Sequence, residues 1–107
     1  MEPLGRPGCW AHVLVCVNRR GPDNAMPSCG ELGGDAVWDA LRGWVSQRGL
    51  LSKVWVTKTA CLGWCHKDGV TVAFYPQGDF YRRVTQADCG ALITRYLEPL
   101  LDRMKRP

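Results

Sequence analysis

Apolar and polar residues alternate along the chain with periods that change from segment to segment. Residues 12–18, HVLVCVN, form a short β-branched run, which predicts a buried strand. Two prolines and four glycines crowd the following RRGPDNAMPSCGELGG, which reads as a loop. Beyond it Val37, Leu41, Trp44 and Val45 recur at three- and four-residue steps, the spacing of one helix face. Asp35 is placed to cap that helix and Gly49 to end it. KVWVTK, residues 53–58, alternates as a second strand. VTVAFY (70–75) and FYRRV (80–84) flank the turn PQGD and make a hairpin. Thr85 followed by Asp88 resembles a capping box, with Asp in place of Glu, that opens a last helix. Leu92, Ile93, Tyr96, Leu97, Leu100 and Leu101 line its apolar face, and Pro99 is expected to end or kink it.

The predicted order is a βαβ unit, then a β-hairpin, then a helix. This is an α/β domain with a mixed four-stranded sheet, and the order resembles that of a small thioredoxin-like domain. The first two strands should run parallel through a crossover, and the hairpin should supply antiparallel strands. Residues 1–11, rich in Pro and Gly, read as a loosely held arm, residues 12–101 as the domain, and residues 102–107 as a basic tail.

A chain of 107 residues, 46% of them hydrophobic, suits one domain with an adequate core. Its six cysteines are therefore not needed as staples and ask for a chemical explanation. No apolar run approaches the length of about eighteen residues that marks a membrane span. The opening MEPLGRPGCWAH, with Glu2 and two prolines, does not read as a signal peptide, so the expected location is cytoplasmic. In that reducing compartment cysteines favour metal binding or redox work over disulfides. The formal charge of +4 is spread over scattered bases (Arg19–Arg20, Arg82–Arg83, and Arg103, Lys105 and Arg106). No aromatic residues interleave with them, which argues against nucleic acid as a partner.

Cys16 lies near the end of the first strand and Cys29 in the loop after it, while Cys61 and Cys65 lie in the loop after the second strand. Parallel neighbouring strands bring those loops to one edge of the sheet, where four sulfurs can converge. The pattern is C-x12-C-x31-C-x3-C. Four thiolates suit tetrahedral zinc or an iron–sulfur cluster. Zinc sites are usually built from two tight knuckles, whereas a binuclear cluster takes two separated pairs. Gly30, Gly33, Gly34, Gly63 and Gly69 are expected to allow positive φ and bring backbone N–H groups toward the sulfurs.

The segments HVLVCVNRR, SCG, TACLGWC and VAFYPQGDFYRRVTQADC together resemble the thioredoxin-like [2Fe–2S] ferredoxins over roughly residues 12–98. That resemblance implies a non-enzymatic one-electron carrier, commonly a homodimer, that works between redox partner proteins. It also implies one [2Fe–2S] cluster per chain, with Cys16, Cys29, Cys61 and Cys65 as ligands. The chain departs from the family in reading CHKDGV after the fourth cysteine, where the family commonly has C-x-x-G-P. That is one residue more, with Val70 in place of the proline. With an oxidised cluster counted, the formal charge falls from +4 to about +2, so an acidic patch on the partner is expected.

The remaining chemistry-bearing residues receive plainer roles. Cys9 is expected to be an exposed thiol, Cys89 a buried one, His12 structural and His66 an exposed neighbour of the site. Trp64, between two of the cysteines, would cover the site or meet a partner, and Trp10, Trp38, Trp44 and Trp55 suit core or dimer contacts. Arg19, Arg20, Lys58 and Lys67 surround the site in sequence, where cations would favour the reduced state. Two rivals stand beside the carrier. One is a zinc-stabilised interaction module, or a cluster protein that protects or senses by docking on a redox enzyme. The other is a thiol–disulfide enzyme, ranked last because no C-x-x-C opens a helix.

Overall fold

In the computed structural model, which describes residues 1–3, 5, 8–17, 33–60 and 69–104, four strands form one mixed sheet. They are β1 (Ala11–Cys16), β2 (Val54–Thr59), β3 (Val70–Tyr75) and β4 (Asp79–Val84), side by side in the order β2-β1-β3-β4. β1 and β2 pair in parallel, from Ala11 opposite Val54 to Cys16 opposite Thr59. β3 runs antiparallel to both β1 and β4. The helix α1 (Gly34–Gln47) connects the two parallel strands, since such strands need a crossover and cannot be joined by a tight turn.

One sheet face is covered. Val13, Val15, Val54, Val56, Val72 and Phe74 pack there against Val37, Leu41 and Val45 of α1 and against Cys89, Leu92, Tyr96 and Leu97 after β4. The opposite face carries alternate residues of the same strands: His12, Leu14, Trp55, Thr57, Ala73, Tyr75 and Phe80. Trp55, Tyr75 and Phe80 are exposed. His12 is structural as expected. Its Nε2 lies 2.7 Å from the Thr57 hydroxyl, and its ring meets Trp55 edge-on.

Helix ends follow local chemistry. The expected cap of α1, Asp35, is not the cap. That position belongs to Gly33, in the left-handed region at φ 97°, and Asp35 lies in the first turn, where a carboxylate meets the positive end of the helix dipole. At the other end Gly49, at φ 70°, closes a Schellman motif as expected. Its N–H donates to Ser46 O at 3.1 Å, and the N–H of the buried Leu50 donates to Val45 O at 3.0 Å.

The last helical segment opens on the expected capping box: the Thr85 N–H donates to Asp88 Oδ2 at 2.9 Å. A 3₁₀ turn (Gln86–Asp88) leads into α2 (Cys89–Leu92), a π turn (Ile93–Leu97) and α3 (Glu98–Met104). Pro99 does not end the helix. It is the second residue of α3, directly after the π turn, so its missing N–H falls where the regular α ladder is already interrupted.

Tyr96 of the π turn, read from sequence as one more apolar residue, also anchors a polar network. Its ring stacks on Phe74 at 4.1 Å, and its hydroxyl donates to Asp79 Oδ2 at 2.7 Å. Tyr96 has a single hydroxyl proton, so Tyr81, 2.6 Å away, is the donor in their mutual contact. Burial, and then the bonds to Tyr81 and Asp79, push the Tyr96 hydroxyl well above its ordinary value of 10. An unfolded tyrosine loses its proton near that value while folded Tyr96 keeps it, so above it the folded state binds more protons and loses stability as pH rises. Melting temperatures between pH 8 and 11 should therefore decline more steeply in the native protein than in Tyr96→Phe. Equal slopes would remove Tyr96 as the cause.

Candidate functional site

Strand direction gathers five chain ends at one rim of the sheet. β1 and β2 finish there, β3 begins there and β4 ends there, and α1 starts above them. Cys16 is the last residue of β1 and is 2% exposed. Its Sγ donates to the carbonyl of Ala60 at 2.9 Å, and Thr59 Oγ1 donates to the same oxygen at 3.1 Å. The pairing continues past both strands through the Val17 N–H, which donates to Thr59 O at 2.9 Å. Parallel pairing thus carries the Cys16 sulfur to the residue directly before Cys61. Of the four cysteines singled out from sequence, Cys16 is placed at the expected rim, while Cys29, Cys61 and Cys65 lie outside the described residues, as do Arg19, Arg20, Trp64, His66 and Lys67. Among the described residues no group of three or more His, Cys, Asp and Glu side chains comes together.

The donor chemistry at the rim fits a soft metal. A buried sulfur at the end of a strand is a fixed ligand with little rotamer freedom to lose. Ala60 O retains the Thr59 hydroxyl as a donor when Cys16 gives up its proton, so deprotonation leaves no orphaned carbonyl. Lys58, expected as a cation beside the site, sits 3.0 Å from Asp35 Oδ1 and over the Trp38 ring at 4.5 Å. Its charge is thus largely offset by Asp35, and the half-exposed pair contributes little to stability.

The other two cysteines differ in their settings. Cys9 precedes the far end of β1 and is partly exposed. Cys89 is buried at the start of α2, and burial, with the Asp88 charge adding, pushes its thiol up. Its Sγ donates to Thr85 O at 3.8 Å, within the turn that opens the last helical segment.

The tryptophans divide between the two faces. Trp10, Trp38 and Trp44 are half-buried against the core, each with a cation over its ring, such as Arg103 over Trp10 at 4.3 Å. The Trp38 Nε1–H donates to Val56 O at 2.9 Å and so satisfies a carbonyl of the edge strand. Trp55 stands on the open face.

No family model matches the chain. A 2Fe-2S ferredoxin of Aquifex aeolicus (strain VF5) is 30% identical over 90 residues, covering 83% of this chain and 80% of that protein. A 2Fe-2S ferredoxin of Clostridium pasteurianum is 28% identical over 87 residues, covering 81% and 84%. Among solved structures, the wild-type thioredoxin-like [2Fe-2S] ferredoxin of Aquifex aeolicus superposes with a TM-score of 0.75 at 28% identity, over 84% of this chain and 87% of that one. Its Cys55Ser variant superposes at 0.76. With sequence and fold each matched over more than four-fifths of the molecule, the chain belongs to the thioredoxin-like [2Fe–2S] ferredoxin family.

Proposed function

We propose that the chain is a small electron carrier that holds one [2Fe–2S] cluster on Cys16, Cys29, Cys61 and Cys65 and exchanges single electrons with redox partner proteins. The observation that carries the ligand assignment is the 2.9 Å contact from Cys16 Sγ to Ala60 O. It puts the sulfur of β1 beside the residue that directly precedes Cys61 in sequence. When bound, the cluster supplies the one-electron couple. The rim of the sheet holds Cys16 rigidly and buries it on the side of the core, which limits the rearrangement that accompanies a change of charge.

The protein acts without chemistry of its own on a substrate. The formal +4 of the polypeptide falls to about +2 with an oxidised cluster and about +1 when it is reduced, which suits a partner with an acidic patch. A second copy of the chain is the natural occupant of the open sheet face. Trp55, Tyr75 and Phe80 supply there the exposed aromatic area that interface centres favour. The site of action is the cytoplasm, where a cluster on four thiolates is kept reduced and unscrambled.

An absorption spectrum of anaerobically purified protein, followed by electron paramagnetic resonance after dithionite reduction, tests the proposal. The expected result is red-brown protein with two irons and two sulfides per chain and a rhombic S = ½ signal. Colourless, redox-silent protein with stoichiometric zinc from the native source would replace the carrier with the zinc-stabilised module.

A further inference from the structure

The open sheet face carries a row of rings that crosses all four strands. Strand register sets His12 of β1 between Trp55 of β2 on one side and Tyr75 of β3 on the other. The His12 ring meets Trp55 edge-on with centroids 5.6 Å apart, and Tyr75 meets Phe80 of β4 edge-on at 6.1 Å. His12 is thus a half-buried, titratable residue in the middle of three exposed aromatic side chains.

Among the described residues that face holds no carboxylate. Asp35 and Asp39 lie on α1, Asp79 bonds Tyr96 and Asp88 closes the capping box. Glu98 and Asp102 lie on α3, and Glu2 lies in the arm. The side chains that face His12 are Trp55 and Thr57 from β2, Ala73 and Tyr75 from β3, and Leu14 of its own strand. Tyr75 is the titratable one among them, and a phenol supplies no negative charge in the pH range where histidine titrates. At the margins stand Lys53, just before β2, and Arg82 of β4, both of them cations.

We infer that protonation of His12 separates two copies of the chain that meet over this face. The proposal rests on the reading above that a second copy covers it. Exposed rings with no charge between them suit a duplicate of the same face better than an acidic redox partner, which needs cations to meet. In a two-fold pair each copy presents the same surface to the other, so the described residues of neither offer a counter-charge to the other's imidazolium. Neutral His12 enters the contact satisfied, with Nε2 at 2.7 Å from the Thr57 hydroxyl. An added proton makes both ring nitrogens donors, and the acceptors that face them are the uncharged hydroxyls of Thr57 and Tyr75. Burying that charge costs more than leaving it in the water around a single copy. The proton therefore binds the single copy more tightly than the pair. By linkage, pairing releases protons and weakens as pH falls.

The test is sedimentation equilibrium of the full chain, purified anaerobically, between pH 5.5 and pH 8, with the dissociation constant of the pair as readout. In the native protein that constant should rise at least tenfold from pH 8 to pH 5.5. His12→Gln keeps a partner for Thr57 and cannot take up a proton, so its constant should change less than twofold over the same range. His12→Phe, which keeps a ring against Trp55, gives a second variant without a titrating group and should be as flat. Phe80→Ser removes a ring of the row without touching His12 and should weaken pairing at least tenfold at both ends of the range. Melting temperatures taken alongside ensure that only folded chains are compared.

A native constant that does not respond to pH, or His12→Gln and His12→Phe as steep as the native protein, overturns the switch and leaves the pairing in place. A native chain that stays single at pH 8 and millimolar concentration defeats the second-copy reading, and the switch with it. Unchanged pairing in Phe80→Ser moves the contact off this face and overturns both.

Discussion

Cys16→Ala is expected to yield a folded, colourless protein with no binuclear cluster. The position matters greatly to the metal and little to the fold. Cys16 is buried at the end of a strand paired on both sides, and alanine is also a small apolar residue, so the strand keeps its backbone pairing and its apolar packing. The stability cost should be about 1 kcal/mol, well inside the usual margin of a domain this size. A binuclear cluster with three of its four thiolates lacks a ligand, and among the described residues no group of three or more His, Cys, Asp and Glu side chains offers a replacement set. Iron and sulfide content, the visible spectrum and thermal melting report the two effects separately. Cys9→Ala and Cys89→Ala should keep full iron content, since one thiol lies before the far end of β1 and the other is bonded to Thr85 O inside the last helical segment. Stoichiometric iron in Cys16→Ala would end the four-cysteine assignment whatever else the protein does.

What the sequence revealed about the fold depended on how local the cause was. VTVAFY is a strand over the residues read from its pattern, because a continuous apolar run between a glycine and a proline has few alternatives. The capping box at Thr85 and Asp88 was equally legible, being a three-residue device. β1 starts one residue earlier and ends two earlier than its pattern suggested, because pairing with Val54 and Thr59 sets its bounds. Asp35 looked like a cap by composition, yet a left-handed Gly33 takes the cap position two residues earlier. Pro99 reads as a residue that ends or kinks the helix; the helix continues through it, directly after a π turn.

The site divides along the same line. Topology alone took Cys16 to the rim, since parallel strands with a crossover end together. The reason for Gly69 could not be read locally. It does not adopt positive φ, and a Cβ there would lie 2.5 Å from the carbonyl carbon of Arg83, fourteen residues away at a bulge that nothing in FYRRV marks. The tyrosine network escaped for a related reason. Tyr96 fits the apolar period of its helix, and only the sheet brings Asp79 and Tyr81 to its hydroxyl.

Phe74→Ala should be the most destabilising single change in the covered core, at about 3–5 kcal/mol in urea unfolding with an unchanged m value. Phe74 is 1% exposed in β3, opposite Val13 of β1. Its ring lies flat on Tyr96 with 9° between the planes, and Tyr81 meets it edge-on at 5.9 Å. One side chain therefore joins the sheet to the last helical segment. Its removal leaves a cavity that the rigid sheet cannot close, and it costs the aromatic pairing as well, worth about 1 kcal/mol beyond area. Against a typical total of about 5–15 kcal/mol, that loss brings the domain close to unfolding at body temperature. Phe80→Ala supplies the contrast. It deletes the same ring from the open face, where Phe80 is 43% exposed, and should cost under about 1 kcal/mol in the monomer. If the two variants cost the same, the stacked pair is not what docks the last helix, and the capping box at Thr85 and the apolar contacts of Leu92 and Leu97 must hold it instead. The expected inequality follows from burial alone: equal rings on opposite faces of one sheet differ only in what surrounds them.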